Sequence, residues 1–156
     1  MTTDYRLVTQ CSFLAPASAG WDVTVNVCSY PEWWPYIHAV AIQGGEPLLQ
    51  EGSDITYTIK GFLPHTLQFQ IHVTRCIPFS RIEMTASGDL EGTGLSLLQE
   101  EGTGTRATSQ WQVALTPPRL KRLSRWRLFH RLFVWNHDVA MRSAVKNMQK
   151  RVQHVS

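Results

Sequence analysis

Residues 116–155 read TPPRLKRLSRWRLFHRLFVWNHDVAMRSAVKNMQKRVQHV. The rest of the chain is organised around this stretch. Thr116 offers an N-cap oxygen, and Pro117 and Pro118 suit a first turn, where no intrahelical donor is required. No Gly or Pro follows Pro118, so the pattern predicts one long helix, or two stacked end to end. Val134, His137, Asp138, Met141, Ala144, Val145, Met148 and Val152 recur at three- and four-residue steps and share one face. Arg142, Lys146, Gln149 and Lys150 fall away from it. The face is apolar except for the His-Asp pair near its start.

Upstream, the period changes from that of a helix to that of strands. Residues 5–14 alternate, with Leu7, Cys11 and Phe13 on one side. Pro16 then suits the first turn of a short helix to about Cys28, with Ala19, Val23 and Val27 in step; Gly20 and the β-branched residues weaken it. In Ser29-Tyr30-Pro31-Glu32-Trp33-Trp34-Pro35-Tyr36-Ile37 two prolines bracket a Trp pair, which predicts one helical turn and an extended exit. This aromatic corner reads either as a core plug or as one wall of a ligand cavity.

Strands are expected at 38–43, 53–60, 66–76, 80–87, 95–100 and 105–115. Ile55, Tyr57 and Ile59 share one side, as do Leu67, Phe69, Ile71 and Val73. So do Ile82, Met84 and Ala86, and Ser109, Trp111, Val113 and Leu115. Gly44-Gly45, Gly61 to Pro64, Gly88 to Gly94 and Gly102 to Gly104 separate them. Alternating strands joined by short turns make an antiparallel sheet with one buried face. The terminal helix has the matching apolar stripe. The expected architecture is α+β: a curved sheet of roughly seven strands around a long C-terminal helix, with two short helices after strand one.

The chain has 156 residues, which suits a single domain spanning 1–156. It lacks an apolar run long enough to span a bilayer, and Met1-Thr2-Thr3-Asp4-Tyr5-Arg6 lacks the blocks of a signal peptide, so a cytoplasmic protein is expected. Cys11, Cys28 and Cys76 are widely spaced and read as buried reduced thiols rather than a disulfide framework or zinc site. Charge is asymmetric. Residues 1–116 carry five Lys/Arg and eleven Asp/Glu, a balance of −6; residues 117–156 carry ten and one, a balance of +9.

Three segments resemble the START-like superfamily, also called SRPBCC or helix-grip, and most closely its polyketide cyclase/dehydrase and lipid-transport branch. They are Phe13-Leu14-Ala15-Pro16-Ala17 followed by Trp21-Asp22-Val23, then Ser29 to Pro35, and then Phe133-Val134-Trp135-Asn136-His137-Asp138 with Met141-Arg142. The resemblance covers nearly the whole chain. It implies a helix-grip fold and a hydrophobic ligand, and it transfers no catalytic set, because members include lipid carriers, cyclases and hydrolases.

Candidate chemistry centres on Asn136-His137-Asp138. Successive helical residues diverge by about 100°, so the three cannot converge on one spot. His137 or Asp138 can project into a cavity as an acid/base, with Tyr57 or Ser109 as a further polar group; equally, the pair can bond the Trp corner and fix the helix. Expected ligand contacts are Trp34, Tyr57, Phe69, Met84, Leu97, Ser109, Trp111, His137, Met141, Val145 and Met148. Catalytic candidates are His137, Asp138 and Tyr57.

No cofactor is expected, and no metal. His130 and His137 are two turns apart, about 10 Å, too far to share an ion. Gly92-Thr93-Gly94 and Gly102-Thr103-Gly104 lack the Lys-Ser/Thr of a phosphate loop and read as hairpin turns. Residues 119–131 hold six Lys/Arg and no acid. They read as a solvated basic face, or as an amphipathic element resting on an anionic membrane. Nucleic acid is not an expected partner, since no aromatic-studded exposed strand accompanies the charge. The expected function is binding or transport of a lipid, isoprenoid or polyketide-like molecule. The alternative is a polyketide aromatase/cyclase acting in the same cavity.

Overall fold

The structure, a computed structural model, describes residues 4–60, 66–118, 122 and 127–155. Strand β1 (Asp4–Phe13) leads into helix α1 (Ala17–Val25), a 3-10 turn at Val27–Ser29 and the single-turn helix α2 (Tyr30–Trp33). Then follow β2 (Ile37–Ile42), β3 (Asp54–Ile59), β4 (Leu67–Ile77), β5 (Arg81–Gly88), β6 (Leu90–Glu101) and β7 (Gly104–Leu115). Helix α3 is described over Arg127–Val155.

All seven strands form one antiparallel sheet in the order β1-β7-β6-β5-β4-β3-β2. The first strand therefore joins the last, and every other neighbour is a sequential one. Register shifts between Ile37 and Ala39 and between Val73 and Arg75 are places where a strand bends and its twist increases. The sheet curls into a half-barrel around α3, an α+β helix-grip architecture.

Alternation puts one side chain in two on the concave face, and the register lines these up across strands. Leu7, Trp111, Gly94, Met84 and Val73 form one such row through direct pairs. Two apolar clusters clamp α3 to this face. At its N-terminal end Phe133 packs with Tyr5, Leu7, Leu90, Val113 and Leu115; the Tyr5 and Phe133 ring centroids are 4.3 Å apart. Toward its C-terminal end Val152, 0% exposed, joins Phe13, Val23 and Val27. Burial of such side chains contributes about 1.5–3 kcal/mol each.

Several expectations are corrected. Gly92-Thr93-Gly94 is not a turn but lies inside β6, which starts at Leu90 rather than 95. A Cβ on Gly94 would sit 2.4 Å from Trp111 Cζ3, so this glycine exists to let the indole lie across the β6 backbone. Gly102-Thr103 does form the β6–β7 turn. The Thr116 hydroxyl donates to the Gly88 carbonyl, tying the exit of β7 to the β5–β6 turn. Cys28 is exposed rather than buried, while Cys11 and Cys76 are half-buried thiols. The break at Gly61 to Pro64 and most of the basic segment 119–126 lie outside the described residues. No helix among the described residues is long and apolar enough to cross a membrane.

Candidate ligand cavity

Between the two clamps, α3 and the sheet stand apart and leave a cavity of about 310 Å³ between them. Its floor is the concave face of β1 and of β3 to β7. Its roof is the stripe Phe133, His137, Ala140, Met141, Ala144, Val145 and Met148 of α3. The aromatic corner closes one side: Tyr30, Trp33, Trp34 and Tyr36 all reach the wall.

The corner is both plug and wall. Trp33 and Trp34 stack with centroids 6.0 Å apart and an interplanar angle of 17°. The Trp34 indole N–H donates to the Ala140 carbonyl at 3.0 Å, and the Asn147 amide donates to the Trp33 carbonyl at 2.7 Å. Arg151 adds an ion pair to Glu32 at 3.3 Å. These groups hold α3 on the corner, a role that His137 and Asp138 were candidates to fill and do not.

Of the expected ligand contacts, Trp34, Tyr57, Phe69, Met84, Ser109, Trp111, His137, Met141, Val145 and Met148 are brought together in the wall. Leu97 is not. Ser96 and Leu98 face the cavity, and Leu97 stands between them on the opposite face of the strand. Asp138 is corrected likewise: its side chain is 51% exposed and outside the wall. Sequence reasoning missed Ser96 and Thr9, which line the cavity; Asn136, of the candidate polar cluster, shares the roof with His137. Thr9 was legible, since it alternates with Leu7 and Cys11.

The wall is chemically quiet. Among the described residues it contains no Asp, Glu, Lys or Arg, and none gather as a metal-binding cluster. Burial pushes the Tyr57 phenol well above its usual range, with Tyr30 and Cys28 adding to the effect. Tyr30 is also pushed up by burial, and its hydroxyl donates to the Thr24 carbonyl. Both are neutral donors at ordinary pH. Burial lowers the His137 pKa, and Asp138 opposes that shift. The His137 Nδ1 is buried and 3.7 Å from the nearer Asp138 oxygen, too long for a hydrogen bond. The imidazole is therefore neutral at pH 7, able to accept a proton or orient a polar group. His72, by contrast, lies on the outer face against Asp54 at 2.8 Å.

No protein-family model matches the sequence, and no curated protein does. Solved structures match over nearly the full length. An aromatase/cyclase from Streptomyces sp. R1128 superposes with a TM-score of 0.76 at 9% identity, covering 97% of this chain and 94% of its own. A Thermus thermophilus protein gives 0.74 at 16% identity, covering 97% and 99%. A START superfamily protein from Mycobacterium smegmatis gives 0.73 at 14%, covering 97% and 99%. At these identities the likeness is one of fold, and it is unambiguous: this chain has the START-like, helix-grip fold.

Proposed function

We propose that this protein binds a hydrophobic small molecule, a lipid, isoprenoid or polyketide-like compound, between α3 and the sheet, and carries it unchanged. The observation that carries the reading is the hollow itself. It measures about 310 Å³ and is walled by aromatic and aliphatic side chains with a few polar groups, the usual make-up of a small-molecule site. Trp34, Phe69, Met84, Trp111, Met141, Val145 and Met148 supply shape and apolar contact. Tyr57, Ser109 and His137 orient a polar end. Native mass spectrometry of the purified protein tests this. A co-purified apolar mass that organic extraction removes is expected; a protein that carries none and binds no apolar probe afterwards refutes it.

A second reading is an aromatase/cyclase-type enzyme. It is favoured by a neutral His137 and a neutral Tyr57 in one wall. Such a reaction needs a base for an acidic methylene and a donor to polarise a carbonyl. Turnover of a poly-β-keto thioester separates the readings, since a carrier returns it unchanged.

Membrane contact would suit a carrier that loads and unloads lipid. Leu128, Leu132 and Trp135 are 67%, 43% and 51% exposed at helical spacing, beside exposed Arg127 and Arg131. An amphipathic basic face of this kind rests on anionic surfaces. Co-sedimentation with anionic but not neutral vesicles is expected, and equal binding to both removes the idea.

A further inference from the structure

The sheet register puts three hydroxyls side by side in the cavity floor. Thr9 pairs with Ser109, and Ser109 pairs with Ser96. All three line the cavity. Direct cross-strand pairs hold their Cβ atoms about 5 Å apart, so the hydroxyls form a line across β1, β7 and β6. Among the described residues none of the three hydroxyls makes a hydrogen bond. The rows on either side are apolar: Leu7 and Trp111 on one, Cys11, Ala107 and Leu98 on the other.

Across from this line the roof is thin. Phe133 packs on Tyr5, and the Gln149 amide donates to the Ser12 carbonyl, so α3 runs alongside β1. Sixteen helical residues and seven strand residues both span about 24 Å. Thr9 lies about 13 Å from Tyr5 on that scale, level with the stretch from Ala140 to Ala144. Both alanines are in the wall and leave room above the hydroxyls.

A hydroxyl that a bound guest cuts off from water without giving it a partner costs about 1–3 kcal/mol. Three in one row, framed by apolar rows, form a polar anchor whose partners come from the guest. Among the described residues the same wall offers no charged side chain to meet an ion, and an unpaired buried charge is far more costly than an unpaired hydroxyl. Resting on the cavity reading above, we infer that Thr9, Ser109 and Ser96 form the polar subsite of the cavity. Its guest is a neutral, oxygen-bearing apolar molecule, a phenol, alcohol or ketone, and not a carboxylate.

Titration calorimetry with naphthalene, 2-naphthol and 2-naphthoate tests this at neutral pH. All three probes have the same ring system. Naphthol is expected to bind about two- to ten-fold tighter than naphthalene, the range for a net hydrogen bond, and naphthoate more weakly than either. In the Thr9→Val/Ser96→Ala/Ser109→Ala variant the preference for naphthol over naphthalene is expected to disappear. Naphthoate binding as tightly as naphthol, or a naphthol preference that survives removal of all three hydroxyls, overturns the subsite. The wild-type comparison stands even if the variant fails to fold. Failure of all three probes, naphthalene included, instead overturns the apolar cavity beneath it.

Discussion

Replacing Gly94 by Ala adds one methyl group, and the structure says where it goes. An ideal Cβ at Gly94 lies 2.4 Å from Trp111 Cζ3 and 2.7 Å from both Cε3 and Cη2. Carbon atoms rest about 3.5–4.0 Å apart, so three ring atoms overlap the methyl by about 1 Å. The methyl rises from β6, on which the indole lies, and Leu7 flanks the ring on β1. The ring therefore tilts up into the cavity. Overpacking of this kind costs about 1–3 kcal/mol, roughly 2–12 °C of melting temperature for a domain of this size. The same tilt narrows the cavity, so Gly94→Ala weakens binding of an apolar probe as it lowers melting. In a Trp111→Leu background the clash disappears and Gly94→Ala is neutral or slightly stabilising, because it restricts the unfolded chain. Calorimetric melting of the four proteins measures a coupling of about 2 kcal/mol. An equal cost of Gly94→Ala in both backgrounds refutes the account.

Two further predictions concern α3. His137 has a lowered pKa in the folded protein, so as pH falls the unfolded chain takes up a proton before the folded one does. Stability contributed by neutral His137 is present above the ordinary histidine value of about 6.5 and is lost as pH falls below it; subtracting the His137→Gln melting profile from that of the wild type isolates this slope, and a flat difference rejects it. At the corner, Asn147→Ala removes a half-buried hydrogen bond to the Trp33 carbonyl, at about 1 kcal/mol. Arg151→Ala removes an ion pair whose side chains are 35% and 68% exposed, worth close to nothing in water. Urea titrations that rank the two the other way contradict the assignment of the corner clamp.

What the sequence disclosed follows from which signals are local. The phases of β1, β3, β4, β5 and β7 are plain because alternation runs unbroken through Leu7, Tyr57, Phe69, Met84 and Trp111. The α3 stripe is equally plain at its 3.6-residue period. β6 was obscure for a tertiary reason. Gly92 and Gly94 have the composition of a turn, yet Gly94 is glycine because a ring from the next strand crosses it. Losing that half of the strand loses its phase as well. Leu95-Ser96-Leu97-Leu98 then offers three leucines around one serine, and apolarity points to Leu97. The pairing of Ser96 with Ser109 points the other way. Asp138 illustrates the same limit on a helix, where one residue of rotation, about 100°, separates a cavity wall from solvent.

The hollow follows from side-chain size. Phe133 on Tyr5, and Val152 in the cluster that includes Phe13 of β1, set the height of α3 above the sheet at two points. Between them the facing residues include Ala140 and Ala144 above, and Thr9, Ser96 and Ser109 below. None is long enough to meet its opposite number, and α3 cannot settle without breaking both clamps and the bonds from Trp34 and Asn147. If the whole 310 Å³ stayed empty, the loss at about 24 cal/mol per Å³ would be about 7.4 kcal/mol. That is comparable to the entire stability of a typical domain. On the ligand-binding reading, a guest in the hollow therefore adds to the stability of the folded protein. Stripping it with organic solvent should lower melting by several degrees, and a probe added back at about a hundred times its Kd should restore about 2.7 kcal/mol. A stripped protein that melts unchanged, and that no guest stabilises, would mean that the walls close on themselves.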